Sequence, residues 1–336
     1  MKPSYYYLTL FIVLITSSAC DHEPTKTSKD PLPSWNEGPV KTSIIQFVKS
    51  STQLTNKNFI EIEDRIATFD NDGNLWSEQP YYFQLKFAID RIINLADQHP
   101  EWEKKYPYRA VLENDMDKLI SFGEHGLLEL VMATHTGMST QEFNHSVQEW
   151  LRSNTHPRFK VPYNELVYQP MLELITYLQA NQYKTFIVSG GGVDFMRVWT
   201  EEAYNIPPDR VIGSSLKAEF VIENGEVLIK KLPAINFIDD KEGKPIGIHQ
   251  YIGKKPVFAS GNSDGDLQML QYAASGNKPS FMLYLHHTDS IREWAYDRDS
   301  HIGRLDKGLD MAHKEGWAVI DMAKDWKVIY PFQLKK

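Results

Sequence analysis

Two carboxylates one residue apart, Asp70 and Asp72, close the apolar run Ile66-Ala67-Thr68-Phe69 and are followed at once by Gly73. A short run apolar at nearly every position reads as a buried strand, so the two acids stand at its carboxyl end. Residues i and i+2 of a strand point to one side, and a turn at Gly73 lets the second carboxylate swing toward the first. Acids placed there add little to packing and are well placed for a ligand, because open α/β sheets bind at the carboxyl ends of their strands. A calcium loop competes for Asp70-Asn71-Asp72-Gly73-Asn74 and fails on spacing. Its glycine stands sixth and its glutamate twelfth, whereas here Gly73 is fourth and Tyr81 twelfth. Asp264-Gly265-Asp266 fails similarly.

Three more segments carry groups that could meet this pair. Ser189 follows the strand-like Lys184-Thr185-Phe186-Ile187-Val188 and precedes Gly190-Gly191-Gly192 and a helix beginning near Val193. Its hydroxyl and the neighbouring backbone N–H groups can hold an anion, although a glycine-rich turn with no ligand has the same composition. In Asp239-Asp240-Lys241-Glu242-Gly243-Lys244 two lysines compete. Lys244 is the better candidate, because Lys244-Pro245-Ile246-Gly247-Ile248 starts a helix packed ahead of the next strand, while Lys241 reads as a solvated surface residue. Pro256-Val257-Phe258-Ala259 is another strand and ends in Gly261-Asn262-Ser263-Asp264-Gly265-Asp266. Phe281–Leu285 ends in His286, His287 and Asp289, a pair of histidines that reads as structural more readily than as a substrate or zinc site.

The elements that must position these groups alternate. Val40–Ser50 has helical spacing, the strand at Ile66 follows, and from Tyr81 to about Pro157 the pattern is helical almost throughout, with Ser139 and Glu142 forming a capping signal for a helix over Thr140–Leu151. From Met171 onward helix and strand alternate, with a hairpin at Phe220–Ile229 turning through Asn224-Gly225. Apolar strands that end in polar or glycine-rich turns, each followed by a helix, predict an α/β fold: a Rossmann-like parallel sheet with its site along one edge and an inserted helical block.

Asp70 with Asp72, Ser189, Lys244, and the turn from Gly261 to Asp266 occur in the order and contexts of four motifs, and together they resemble the haloacid dehalogenase superfamily. The likeness is to its phosphatases with an α-helical cap of the phosphoserine phosphatase type. It covers about Ile66–Leu270 by motif and Val40 to the C-terminus by architecture. It implies Mg²⁺-dependent hydrolysis of a small phosphorylated substrate. Asp70 would be the nucleophile that forms an aspartyl-phosphate, and Asp72 the acid and base that serves both half-reactions. Ser189, Gly190 and Lys244 would bind the phosphoryl group, and Asp70, the Asp72 carbonyl, Asn262 and Asp266 would hold Mg²⁺. The superfamily's dehalogenases lack the second aspartate, so Asp72 points to phosphoryl transfer. The chain departs from the pattern twice. Asn262 stands where a metal-binding aspartate is usual, which removes one unit of ligand charge and makes Asp264 a candidate to compensate. Asn74 replaces a threonine. Transfer to an alcohol instead of water, or a binding protein that has lost turnover, are the alternatives.

The whole chain bounds these readings. Its 336 residues are 42% hydrophobic with a formal charge of −8, ample for a core and without a basic stripe for nucleic acid. The expected organisation is a signal peptide over 1–19, a flexible tether over 20–38, a core formed by 39–80 and 160–336, and a cap over 81–159. Lys2, the apolar run Tyr5–Thr16 and Ser17-Ser18-Ala19-Cys20 resemble a bacterial lipoprotein signal, with Ser17 where leucine is usual. Cys20, the single cysteine, would then carry the lipid that anchors an exported protein to a membrane, facing the periplasm or cell exterior.

Overall fold

In a computed structural model, residue 1 and residues 30–334 are described; the expected signal peptide, Cys20 and most of the tether lie outside these residues. The strands are β1 (Ile66–Phe69), β2 (Lys184–Gly192), β3 (Val211–Glu223), β4 (Glu226–Phe237), β5 (Phe258–Gly261), β6 (Phe281–Thr288), β7 (Ala295–Tyr296) and β8 (Ala318–Asp321). They form one sheet in the order β4-β3-β2-β1-β5-β6-β7, with β8 also paired to β6. β1 is central and parallel to both β2 and β5, and the parallel set continues through β3, β6 and β8. The chain passes from β1 to β2 on one side and returns to β5 on the other, so the crevice at the carboxyl end of β1 is a topological switch point.

Side chains alternate between two packed faces. Ala67, Phe69, Ile187, Phe258, Leu283 and Leu285 join one buried cluster, while Val188, Ala259 and Tyr284 join the other. A third cluster, including Ile92, Trp102, Tyr108 and Leu130, belongs to the helices that run between β1 and β2. The longer of these helices are Phe83–Leu95, Gly123–His135 and Thr140–Ser153. The last starts in a reciprocal capping box between Ser139 and Glu142, as its sequence predicts. Where the chain enters and leaves this block it is stitched together: Ser77 N–H donates to Leu166 O at 3.1 Å, and Tyr168 N–H donates to Leu75 O at 2.8 Å.

The hairpin is longer than the sequence pattern suggests. Its turn has φ of 52° at Asn224 and 85° at Gly225, the two positive values of a type I′ turn. The first residues of β3 pair in parallel with β2, and the remainder runs on with β4 against the helical block, where Gly137 N–H donates to Lys231 O at 3.0 Å.

The end of the expected tether is folded. Leu32 and Trp35 are both 0% exposed. Trp35 donates its indole N–H to Pro170 O at 3.0 Å and meets Trp326 edge-on at 5.9 Å. Reading 31–38 as flexible weighed Pro31, Pro33 and the polar residues above the two large apolar side chains among them, and burial of those side chains decides the outcome.

Candidate active site

β1 delivers Asp70 to the centre of the sheet edge. Its carboxylate is nearly buried and accepts from Lys244 Nζ at 2.6 Å. Lys244, on the helix Gly243–Tyr251, also donates to Val188 O at 2.8 Å and lies 2.7 Å from Asp266 Oδ1. One ammonium therefore bridges β1, the Ser189 strand and the acidic turn. Burial opposes its charge, but Asp266 and Asp70 outweigh that and hold its pKa above the ordinary lysine value. Burial, then the charge of Asp266, pushes the Asp70 carboxyl well above the usual range against the pull of Lys244. Lys241 stands apart with its side chain half-exposed.

Asp72 is oriented by Trp76, whose indole N–H donates to Asp72 Oδ1 at 2.8 Å. Burial raises its pKa, partly offset by that bond. A buried carboxyl with a raised pKa holds a proton nearer neutrality, as a group that must donate and recover one requires. The loop between the acids is built for close approach. Gly73 has φ of +73°, and a Cβ there would lie 2.2 Å from both Asn262 Nδ2 and Glu78 Oε1. Asn74 pins the loop to β1 and β5. Its amide donates to Asp70 O at 3.1 Å, and its oxygen accepts from Ser260 Oγ on β5 at 2.9 Å.

Ser189 is buried and accepts from Gly191 N–H at 3.1 Å. The β2–β3 register shifts between Ser189 and Gly192, a bulge that throws Gly190 and Gly191 out of the ladder and onto the wall of a cavity of about 290 Å³. Asp70, Asp72, Ser189, Gly190, Lys244 and Asp266 all line this cavity. Asp239 is buried close by, and burial pushes its pKa up to about 7.

The acidic turn differs from the expectation at Asp264. Its Oδ1 accepts from Asp306 N–H at 3.0 Å and Gly308 N–H at 2.8 Å, so it caps the helix Lys307–Glu315. Asp266 Oδ2 accepts from Asn262 N–H at 2.9 Å and Ser263 N–H at 3.0 Å and folds the turn, while Oδ1 faces Lys244. The acid that meets Asn262 is Glu78, which sequence reasoning missed. Its Oε1 accepts from Asn262 Nδ2 and from Tyr296 OH, both at 2.8 Å, and burial pushes its pKa well above the usual carboxylate range. It sits in Trp76-Ser77-Glu78-Gln79-Pro80, a loop without periodicity, and only its nearness to the acid pair signals it.

With its N–H₂ turned to Glu78, Asn262 presents Oδ1, a buried oxygen without a hydrogen-bond partner among the described residues. An orphaned buried acceptor beside Asp70 suits a hard cation, which takes oxygen ligands. Among the described residues no three His, Cys, Asp or Glu side chains form a ready-made metal cluster, so a cation here would depend on amide and backbone oxygens beside the Asp70 carboxylate.

Of the histidines that end β6, His287 supports the site and His286 does not. His287 Nε2 donates to Gly73 O at 2.7 Å, and Nδ1 faces Glu293 at 3.2 Å, which fixes the loop carrying Asp72. His286 faces Asp297, and Asp289 is paired with Arg292. Of the aromatic residues following the acids, Trp76 holds Asp72, Tyr82 lines the cavity and Phe83 is buried in the core.

Residues 67–271 match the family described as haloacid dehalogenase-like hydrolase. No curated protein sequence matches the chain. Among solved structures, a conserved protein of unknown function from Anaerococcus prevotii DSM 20548 is 15% identical with a TM-score of 0.55, covering 87% of this chain and 94% of its own. A protein of unknown function from Bordetella pertussis Tohama I is 14% identical at a TM-score of 0.47, over 77% of this chain and 98% of its own. A probable phosphoserine phosphatase from Vibrio cholerae is 16% identical at a TM-score of 0.36, over 76% and 69%. The first of these supports the fold alone, and the other two scores are too low to carry an argument.

Proposed function

The chain belongs to the haloacid dehalogenase-like hydrolases, and from that premise we propose that it hydrolyses a small phosphomonoester with Mg²⁺ through an aspartyl-phosphate on Asp70. The observation that carries the reading is the convergence of Asp70, Asp72, Ser189 and Lys244 on one cavity at the carboxyl edge of the sheet.

Each residue has a task its surroundings suit. Lys244, Ser189 Oγ and the bulged Gly190-Gly191 backbone hold the phosphoryl oxygens beside Asp70. An Asp70 oxygen forms a bond to phosphorus as the ester P–O bond breaks, and Asp72 gives its proton to the departing alcohol oxygen. Water then attacks phosphorus, Asp72 takes a proton from it, and the bond to Asp70 breaks to release phosphate. Asp70, the Asp72 carbonyl and Asn262 Oδ1 would hold Mg²⁺, with Asp266 fixing the turn. When bound, the ion offsets negative charge on the phosphoryl oxygens and on a nucleophile that burial would otherwise keep protonated. The helices between β1 and β2 act as a cap that excludes water.

Asp70→Asn keeps the volume and removes the nucleophile. Turnover of phenyl phosphate in Mg²⁺ should fall by more than about a thousandfold, measured as phosphate release, with the fold checked by circular dichroism. Wild-type rates in that variant would sink the assignment. A binding protein without turnover is favoured only by Asn262, whose amide is held by Glu78 with Oδ1 left for a cation. The lipid anchor rests on the sequence of residues 1–20 alone; among the described residues no helix is long and apolar enough to cross a membrane.

A further inference from the structure

The phosphoryl-binding residues occupy one end of the cavity, and the rest of its wall is of another kind. It comes from the helices between β1 and β2 (Leu85, Leu128, Val131 and Phe143) and from the hairpin (Leu216 and Phe237). Charged groups on this part of the wall are already satisfied. Lys231 is ion-paired with Asp194, only 5% of its side chain is exposed, and its ammonium lies 4.8 Å from the centre of the Phe143 ring. His135 is held neutral by burial, with Nδ1 2.7 Å from Thr134 Oγ1. At about 290 Å³ the space is at the small end of ligand sites, which typically run to about 300–1,000 Å³.

A phosphoserine-like substrate needs partners for a carboxylate and an ammonium. Glu78 and Asp240 also line the cavity and could face the ammonium, but away from Lys244 the cation that could meet the carboxylate is Lys231, which would have to give up Asp194. Separating a buried ion pair leaves two charges to be re-satisfied, whereas an alkyl or aryl group needs only the apolar wall present. We propose that the alcohol of the substrate is an uncharged apolar group, so that the natural ligand is a small alkyl or aryl phosphomonoester bearing no charge beyond its phosphate. This inference rests on the phosphatase reading.

Two series test it separately from that reading. With purified protein in Mg²⁺, kcat/KM for methyl, n-butyl and n-hexyl phosphate should rise by about two- to fourfold per methylene, as buried CH₂ groups do, and O-phosphoserine should fall below n-butyl phosphate. A flat or falling series, or phosphoserine above n-butyl phosphate, overturns the proposal and makes Lys231–Asp194 a reader of zwitterions. The Kd values of methyl-, n-butyl- and n-hexylphosphonate, measured by calorimetry, should tighten in the same order without any chemistry. Absence of turnover with every ester would remove the phosphatase reading while the phosphonate series still decided the character of the cavity. Leu128 lies outside the three packed clusters, so Leu128→Asn can be made without opening a core. It should shrink the gain from methyl to hexyl, and an unchanged gain would place the chain elsewhere and overturn the proposal.

Discussion

At the scale of residues, an amide stands where an aspartate is usual, and a buried glutamate from another segment holds that amide in place. Glu78 Oε1 accepts from the Asn262 amide N–H₂ at 2.8 Å, which leaves Asn262 Oδ1 without a hydrogen-bond partner among the described residues. Glu78→Gln should weaken Mn²⁺ or Mg²⁺ binding by about 10- to 100-fold, the usual cost of losing a group that orients a ligand, read by calorimetry or by Mn²⁺ paramagnetic resonance without turnover. Asn262→Asp alone should also weaken it, since it sets two carboxylates 2.8 Å apart, and the double variant should recover. Wild-type affinity in Glu78→Gln would refute this role. Asp70, Ser189 and Lys244 were legible because each ends an apolar run or begins a helix, positions where residue type and backbone context coincide. Glu78 and the His287 contact to Gly73 were not, because each depends on chain segments brought together across the sheet, which no local spacing encodes.

At the scale of elements, what the sequence marked locally is what the structure retains, and what pairing creates was hidden. β1 keeps the predicted limits, since burial of one short strand is a local property. β2 runs on to Gly192 because its extra residues find partners on β3, and β8 was overlooked because Ala318-Val319-Ile320 is too short to read as a strand without β6 beside it. The capping box of Thr140–Ser153 was readable in full. Its Ser139 accepts from Glu142 N–H at 3.2 Å and the Glu142 carboxylate returns to Ser139 N–H at 2.7 Å. Ser139→Ala should cost about 1 kcal/mol, toward the upper range if Glu142 is also released, measured by urea unfolding; a loss below a few tenths would mean that hairpin contacts, not the cap, hold this end of the helix.

At the scale of the whole molecule, the α/β sheet was foreseen from the alternation of elements, while the folded edge was misplaced. Leu32 and Trp35 join the core before the first helix. Cys20→Ser tests the proposed anchor on the intact protein: the variant should move from the membrane to the soluble fraction, and unchanged retention would exclude lipid on Cys20. The Glu78–Asn262 contact has a further consequence for recognising such chains. A signature that insists on aspartate after the glycine of the acidic turn would discard this sequence as inactive. One that admits asparagine there when a glutamate stands eight residues beyond the first aspartate would retain it, because a pocket is assembled in space and not by column.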